Sequence, residues 1–235
     1  MWIRAALIFA AMAGSASAAC RQALSLGMDV SGSVDAQEYR LQLDGLANAL
    51  GARAVQDILL DMPETPVALH IYEWSGPSHQ RVLLDWTPIT GPSDLARIIT
   101  VLRTTQRVAA DPSTALGTAM SFGATALDQG PACWRKTLDI SGDGKNNTGP
   151  RPQAVRAIPQ MQGITINGLV IGSDSQRRDD QRQGDIAELS AYYQTQVVLG
   201  RQSFVETALG FEAFEAAMTR KLIRELQSVA IGALQ

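Results

Sequence analysis

The chain has 235 residues, with 20 lysines and arginines against 23 aspartates and glutamates, for a net charge of −3. This mildly acidic balance excludes the basic footprint of a nucleic-acid-binding domain and offers no strong attraction to anionic membranes. With only two histidines and two cysteines, a structural or catalytic zinc site is not expected.

Arg4 precedes an apolar stretch from Ala5 to Ala13 and then Ala16-Ser17-Ala18. This is the layout of a secretory signal peptide, expected to cover residues 1–19 and to be cleaved before Ala19 or Cys20. The apolar run is too short to span a bilayer, and no second run of spanning length follows. The expected product is one exported domain, residues 20–235, periplasmic or secreted, with no transmembrane segment. In such a compartment an even pair of cysteines, Cys20 and Cys133, favours a disulfide. Each cysteine precedes an expected strand, so the bond would clip two strand starts together. The alternative is a lipoprotein acylated at Cys20 after Ser17-Ala18-Ala19, which would leave Cys133 a free thiol. That segment lacks the leucine usual three residues before a lipidated cysteine.

Short apolar runs alternate with helical patterns, the signature of a parallel-sheet α/β fold. Ala23 to Asp29 reads as a strand and Asp35 to Leu50 as a helix, with Tyr39, Leu43, Leu46 and Leu50 at helical spacing. Val67 to Trp74 and Gln80 to Trp86 read as strands joined by the tight turn Ser75-Gly76-Pro77-Ser78, hence an antiparallel hairpin. Ser93 to Arg103 and Ala115 to Leu127 read as helices, and Lys136 to Ser141 as a strand. Gln153 to Met161 is a short helix interrupted near Pro159, and Ile164 to Ile171 a strongly β-prone strand. Ser173 to Asp185, with Arg177, Arg178, Asp179, Asp180 and Arg182, reads as a solvated loop. Ile186 to Tyr193 is expected as a helix and Gln196 to Leu199 as the last strand. Phe211 to Leu226 is the final helix, carrying Phe211, Phe214, Met218, Leu222 and Leu226 along one core-facing stripe.

Chemistry concentrates at the end of the first strand. In Asp29-Val30-Ser31-Gly32-Ser33, a carboxylate and two hydroxyls occupy alternate positions, which share a face if the chain stays extended. Small oxygen donors brought together suit a hard cation such as Mg²⁺. The competing structural reading makes Ser33 the N-cap of the following helix.

Two further segments extend the motif: Ser113-Thr114-Ala115-Leu116-Gly117-Thr118-Ala119-Met120, with hydroxyls at a helix start, and Leu138-Asp139-Ile140-Ser141-Gly142-Asp143-Gly144, a strand running into a glycine-flanked aspartate. Together with Asp29-Val30-Ser31-Gly32-Ser33 they resemble, in order and separation, the three metal-site loops of von Willebrand factor A-type (vWA) domains. Glu73-Trp74-Ser75-Gly76, Ser141-Gly142-Asp143-Gly144-Lys145-Asn146-Asn147, Ile164-Thr165-Ile166-Asn167-Gly168-Leu169 and Ala191-Tyr192-Tyr193 are similar to an uncharacterised, exported bacterial branch of that superfamily.

The resemblance implies a Rossmann-like, doubly wound, mostly parallel six-stranded sheet of order 3-2-1-4-5-6, strand three antiparallel, with helices on both faces. It implies a metal-ion-dependent adhesion site (MIDAS) in which Ser31, Ser33 and Thr114 offer hydroxyls to Mg²⁺, with Mn²⁺ or Ca²⁺ as substitutes. Asp29 would act mainly through bound water, and Asp143 directly or through water. An acidic residue of a protein partner would complete the coordination. The implied strand order also sets Cys20 and Cys133 at the same end of neighbouring strands. Asp111-Pro112-Ser113 departs from the glycines usual before the second-loop threonine; Asp111 either reaches the cation region or starts a turn.

Candidate rim residues are Glu73, Trp74, Asp111, Asn146 and Asn147. Trp74 has a competing reading as core, and the two asparagines as a plain turn. Asp139, inside an apolar strand, must pair with a neighbour or face a hydrated edge. The leading expectation is a non-catalytic, Mg²⁺-dependent protein-binding module. The rivals are a metal-assisted hydrolase, with Glu73 or Asp111 pressed into service as the base, and a structural component of an envelope assembly. No Gly-x-Ser-x-Gly elbow or phosphate-binding loop is present in residues 20–235.

Overall fold

The computed structural model describes residues 20–172 and 179–232; the expected signal segment and the arginine pair Arg177-Arg178 lie outside the described residues. Six strands, β1 (Cys20–Asp29), β2 (Val67–Trp74), β3 (Gln80–Ile89), β4 (Cys133–Gly142), β5 (Ile164–Ile171) and β6 (Val205–Ala208), form one sheet. Its order is β3-β2-β1-β4-β5-β6. Only β3 is antiparallel to its neighbour.

The helices are α1 (Ala36–Gly51), α2 (Arg53–Leu60), α3 (Pro92–Thr104), α4 (Leu116–Gln129), α5 (Pro152–Arg156), α6 (Asp179–Tyr192) and α7 (Phe214–Gly232). Leu24, Leu26 and Met28 of β1 point into a core shared with α1, α2, α3 and α7. Ala23 faces the opposite core, built with α4, α5, α6 and Tyr72, Trp74, Leu138 and Ile140 of the sheet. The stripe Phe211, Phe214, Met218, Leu222 and Leu226 is buried along its whole length.

Cys20 and Cys133 are directly opposed in the β1–β4 register and joined by a disulfide, with Cα atoms 4.4 Å apart. The bond closes the sheet's central pair at the end opposite the strand C-termini.

Two expectations need correction. The last strand is Val205–Ala208, not Gln196 to Leu199: Tyr193–Val197 continues α6 as a π-helical turn. Leu199 makes only an isolated bridge to Ile166. The real edge strand carries Glu206 and Thr207 in its four residues, so its apolar signal is weak. The polar segment is not a loop throughout, since helix begins at Asp179. Helix α2 lies on a stretch for which no element was expected; it follows α1 directly, its Val55 and Leu59 buried against the first core.

Candidate metal centre

Parallel strands all end on one side of the sheet, where open α/β folds bind ligands. The loops after β1 and β4 and the loop before α4 meet there. The first is fixed by its backbone: Val30 N donates to Trp74 O at 2.8 Å and Gly32 N to Pro112 O at 2.9 Å. A Cβ on Gly32 would stand 2.8 Å from the Pro112 ring, so this packing requires glycine.

Asp29 is fully buried, its Oδ1 accepting from Ser31 N at 2.8 Å. The two serine hydroxyls lie 3.3 Å apart, and Ser33 Oγ donates to Asp143 Oδ1 at 2.8 Å. Ser33 is therefore not the helix cap. Asp35 caps α1, accepting from Gln37 N and Glu38 N while Glu38 accepts from Asp35 N in a capping box.

Thr114 is buried, and its backbone is bracketed by Asn147: Thr114 N donates to Asn147 Oδ1 at 2.9 Å and Asn147 N to Thr114 O at 3.0 Å. Asn146 Oδ1 accepts from Gly117 N at 3.1 Å, satisfying an amide in the first turn of α4. Both asparagines thus fasten the third loop to the second. A Cβ on Gly144 would come 3.8 Å from Thr114 Oγ1, placing the threonine hydroxyl beside the third loop.

The remaining rim candidates point elsewhere. Trp74 is wholly buried in the core. Glu73 is also buried: Tyr39 donates to it at 2.9 Å, Arg81 Nε lies 2.8 Å away as an ion pair, and His79 Nε2 lies 3.3 Å away. Asp111 folds back on its own turn, accepting from Ser113 N at 2.8 Å and Ser113 Oγ at 2.6 Å. These bonds hold its carboxyl below the ordinary range. A carboxylate so engaged is poorly placed to act as a general base.

Burial, and then the neighbouring Asp143 charge, push Asp29 up to about 8. Burial also raises Asp143. Two desolvated carboxylates side by side disfavour each other's ionised form, and a divalent cation reverses that logic. The donor set fits such an ion. Asp29 Oδ2 is buried with no hydrogen-bond partner among the described residues, and the loops that meet here carry the hydroxyls of Ser31, Ser33 and Thr114. Among the described residues no three His, Cys, Asp or Glu side chains group as a metal site, so a cation here draws on hydroxyls as well as carboxylates.

Sequence reasoning left Tyr193 without a role. Its ring is fully buried behind the site, and its only signal was the Ala191-Tyr192-Tyr193 motif at a helix end. Asp139 is resolved as paired: its Oδ2 lies 2.6 Å from Lys221 Nζ, which also bonds Glu225 Oε1 at 2.7 Å, while Asn167 donates to the same Oε1 at 2.6 Å.

The chain belongs to the family described as protein of unknown function DUF1194, whose model matches residues 19–230. No curated protein matches it. Among solved structures it is similar to proximal thread matrix protein 1 from the mussel byssus, with TM-score 0.61, 14% identity, and coverage of 89% of this chain and 49% of that one. A further structure of that protein has a zinc-occupied MIDAS motif (TM-score 0.57, 12% identity, coverage 88% and 46%). The von Willebrand factor type A protein from Catenulispora acidiphila matches at TM-score 0.56 and 16% identity, covering 89% and 43%. The pilus adhesin SpaC from Lactobacillus rhamnosus GG matches at 0.59 and 12%, covering 89% and 31%. The chain spans half or less of the length of these neighbours. Its fold is that of a vWA domain.

Proposed function

We propose that this member of the DUF1194 family is a divalent-cation-dependent protein-binding module of an exported compartment, acting without catalysis. In this reading Ser31, Ser33, Thr114 and Asp143 hold the cation, and Asp29 orients them from below. The bound ion supplies an electrophilic position for an acidic side chain of a partner protein. Mg²⁺ is the ion that hard oxygen donors favour; the zinc-occupied MIDAS motif of the mussel protein supports a divalent cation at this position in the fold.

The observation that carries the reading is the meeting of three loops around a buried carboxylate oxygen that has no hydrogen-bond partner among the described residues. The engagement of Glu73 and Asp111 speaks against the hydrolase rival. The rival in which a cation merely stiffens the loops has less to explain, because Asn146, Asn147 and the Gly32–Pro112 bond already join them. The test is calorimetric titration of residues 20–235 with Mg²⁺ and Mn²⁺, alongside Asp29→Ala and Thr114→Ala. Binding in the wild type and its loss in both variants is expected. Partner capture from envelope extract should then require the cation and fail with Ser31→Ala and Asp143→Ala; capture that survives chelator and both substitutions overturns the mechanism.

A further inference from the structure

Tyr193 lies flat across the sheet because two strands give it glycine to cross. A Cβ on Gly168 of β5 would stand 2.8 Å from its Cδ1, and one on Gly142 of β4 would stand 2.5 Å from its hydroxyl. Glycine weakens a strand interior, and its presence there marks the close approach of another group. In the β4–β5 register Gly168 faces Ile140, two residues before Gly142. The ring therefore runs obliquely toward the strand C-termini and the candidate metal centre.

The hydroxyl arrives where it has something to meet. The same Cβ on Gly142 would lie 2.9 Å from Asp29 Oδ2 and 3.4 Å from Trp74 Cζ2. Tyr193 Oη, Asp29 Oδ2 and Trp74 Nε1 are all buried, and none has a hydrogen-bond partner among the described residues. Leaving such groups unpaired is expensive, and native interiors rarely do so without a functional reason. Two of them are donors and the third is the free oxygen of the site's deepest carboxylate. Tyr193 is also the first residue of the π-helical turn, an irregularity found mostly at functional positions.

We infer that Tyr193 is a positioning residue of the metal centre: its hydroxyl, through one water shared with Trp74 Nε1, donates toward Asp29 Oδ2 and keeps that carboxylate oriented toward the loops that would hold the cation. The inference rests on the cation-binding reading above. Donors placed behind a metal-bound carboxylate or imidazole fix its orientation, and losing one weakens metal affinity about 10–100-fold.

Tyr193→Phe keeps the ring and removes only the hydroxyl. Calorimetry should show Mn²⁺ and Mg²⁺ affinity lowered about tenfold or more, with the chelated protein's melting temperature unchanged. A second measurement uses the wild type itself: Mg²⁺ should perturb the ultraviolet difference spectrum of a buried tyrosine, and Tyr193→Phe should abolish that signal. Wild-type affinity in Tyr193→Phe overturns the inference while leaving the cation site standing. So does a lowered melting temperature in chelator with unchanged affinity, which would mean that the hydroxyl serves packing alone. Absence of cation binding in the wild type overturns both readings together.

Discussion

Ser33 Oγ donates to Asp143 Oδ1 at 2.8 Å, joining the first and third loops of the site across 110 positions of sequence. The bond sets a hydroxyl and a carboxylate side by side in the geometry that a hard cation would take over. It also makes the Asp143 charge a tenant of the site rather than of the fold.

Asp143→Asn tests that distinction. It removes the buried charge that, after burial itself, raises the neighbouring Asp29, so the chelated protein should melt at the same temperature as the wild type or higher. Mg²⁺ should then add no thermal stability, whereas the wild type should gain it by mass action. Differential scanning calorimetry with and without Mg²⁺ reads both effects.

The disulfide closes a separation of 113 residues. The chain-entropy account assigns such a loop about 4–5 kcal/mol, and measured values often fall below this. The double variant Cys20→Ala, Cys133→Ala should lose several kcal/mol in urea denaturation. Adding reductant should destabilise the wild type and leave the variant unaffected.

Asp139 is buried between β4 and α7, with Lys221 and Glu225 facing it from α7 and Asn167 adjoining from β5. Burial outweighs the attraction of Lys221 and sets Asp139 at about 7, above its ordinary 3.8. The folded chain thus keeps a proton that the unfolded chain releases. The associated stability is complete below about pH 4 and disappears as pH rises through about 7. Urea midpoints of chelated protein between pH 5 and 8 should fall with pH, and Asp139→Asn should flatten the slope.

Glu73 holds Tyr39, Arg81 and His79 from a buried position. Glu73→Ala leaves a partly buried guanidinium without its carboxylate and should cost about 2–3 kcal/mol, less than a fully buried pair because Arg81 is a third exposed. Cation affinity, measured by calorimetry, should stay within a few-fold of wild type, since none of these groups lies in the three loops.

The strands Val67–Trp74 and Ile164–Ile171, rich in β-branched and aromatic residues and flanked by glycine or proline, were legible to the residue. β1 and β4 begin earlier than their apolar runs because polar residues there find distant partners. Arg21 donates to Ile58 O and Leu59 O at the end of α2, and Gln22 to Thr137 on the neighbouring strand. No local pattern encodes such contacts. The three loops of the centre were readable because each keeps its chemistry within a few residues. The fates of Glu73 and Trp74 were not, since burial and partners are set by β3, α1 and the opposite core, far along the chain.

The cross-link between Cys20 and Cys133 also decides how this molecule would carry a mechanical load. Tension applied at the two ends of the described chain passes from Cys20 through sulfur into β4 and onward to α7. Residues 21–132, including the loop of Asp29, Ser31 and Ser33 and that of Thr114, form a covalent ring outside the line of force. The loop of Asp143 lies within it. A pull along that line therefore acts on the loop of Asp143 through the covalent chain, and on the other two loops only through their non-covalent contacts.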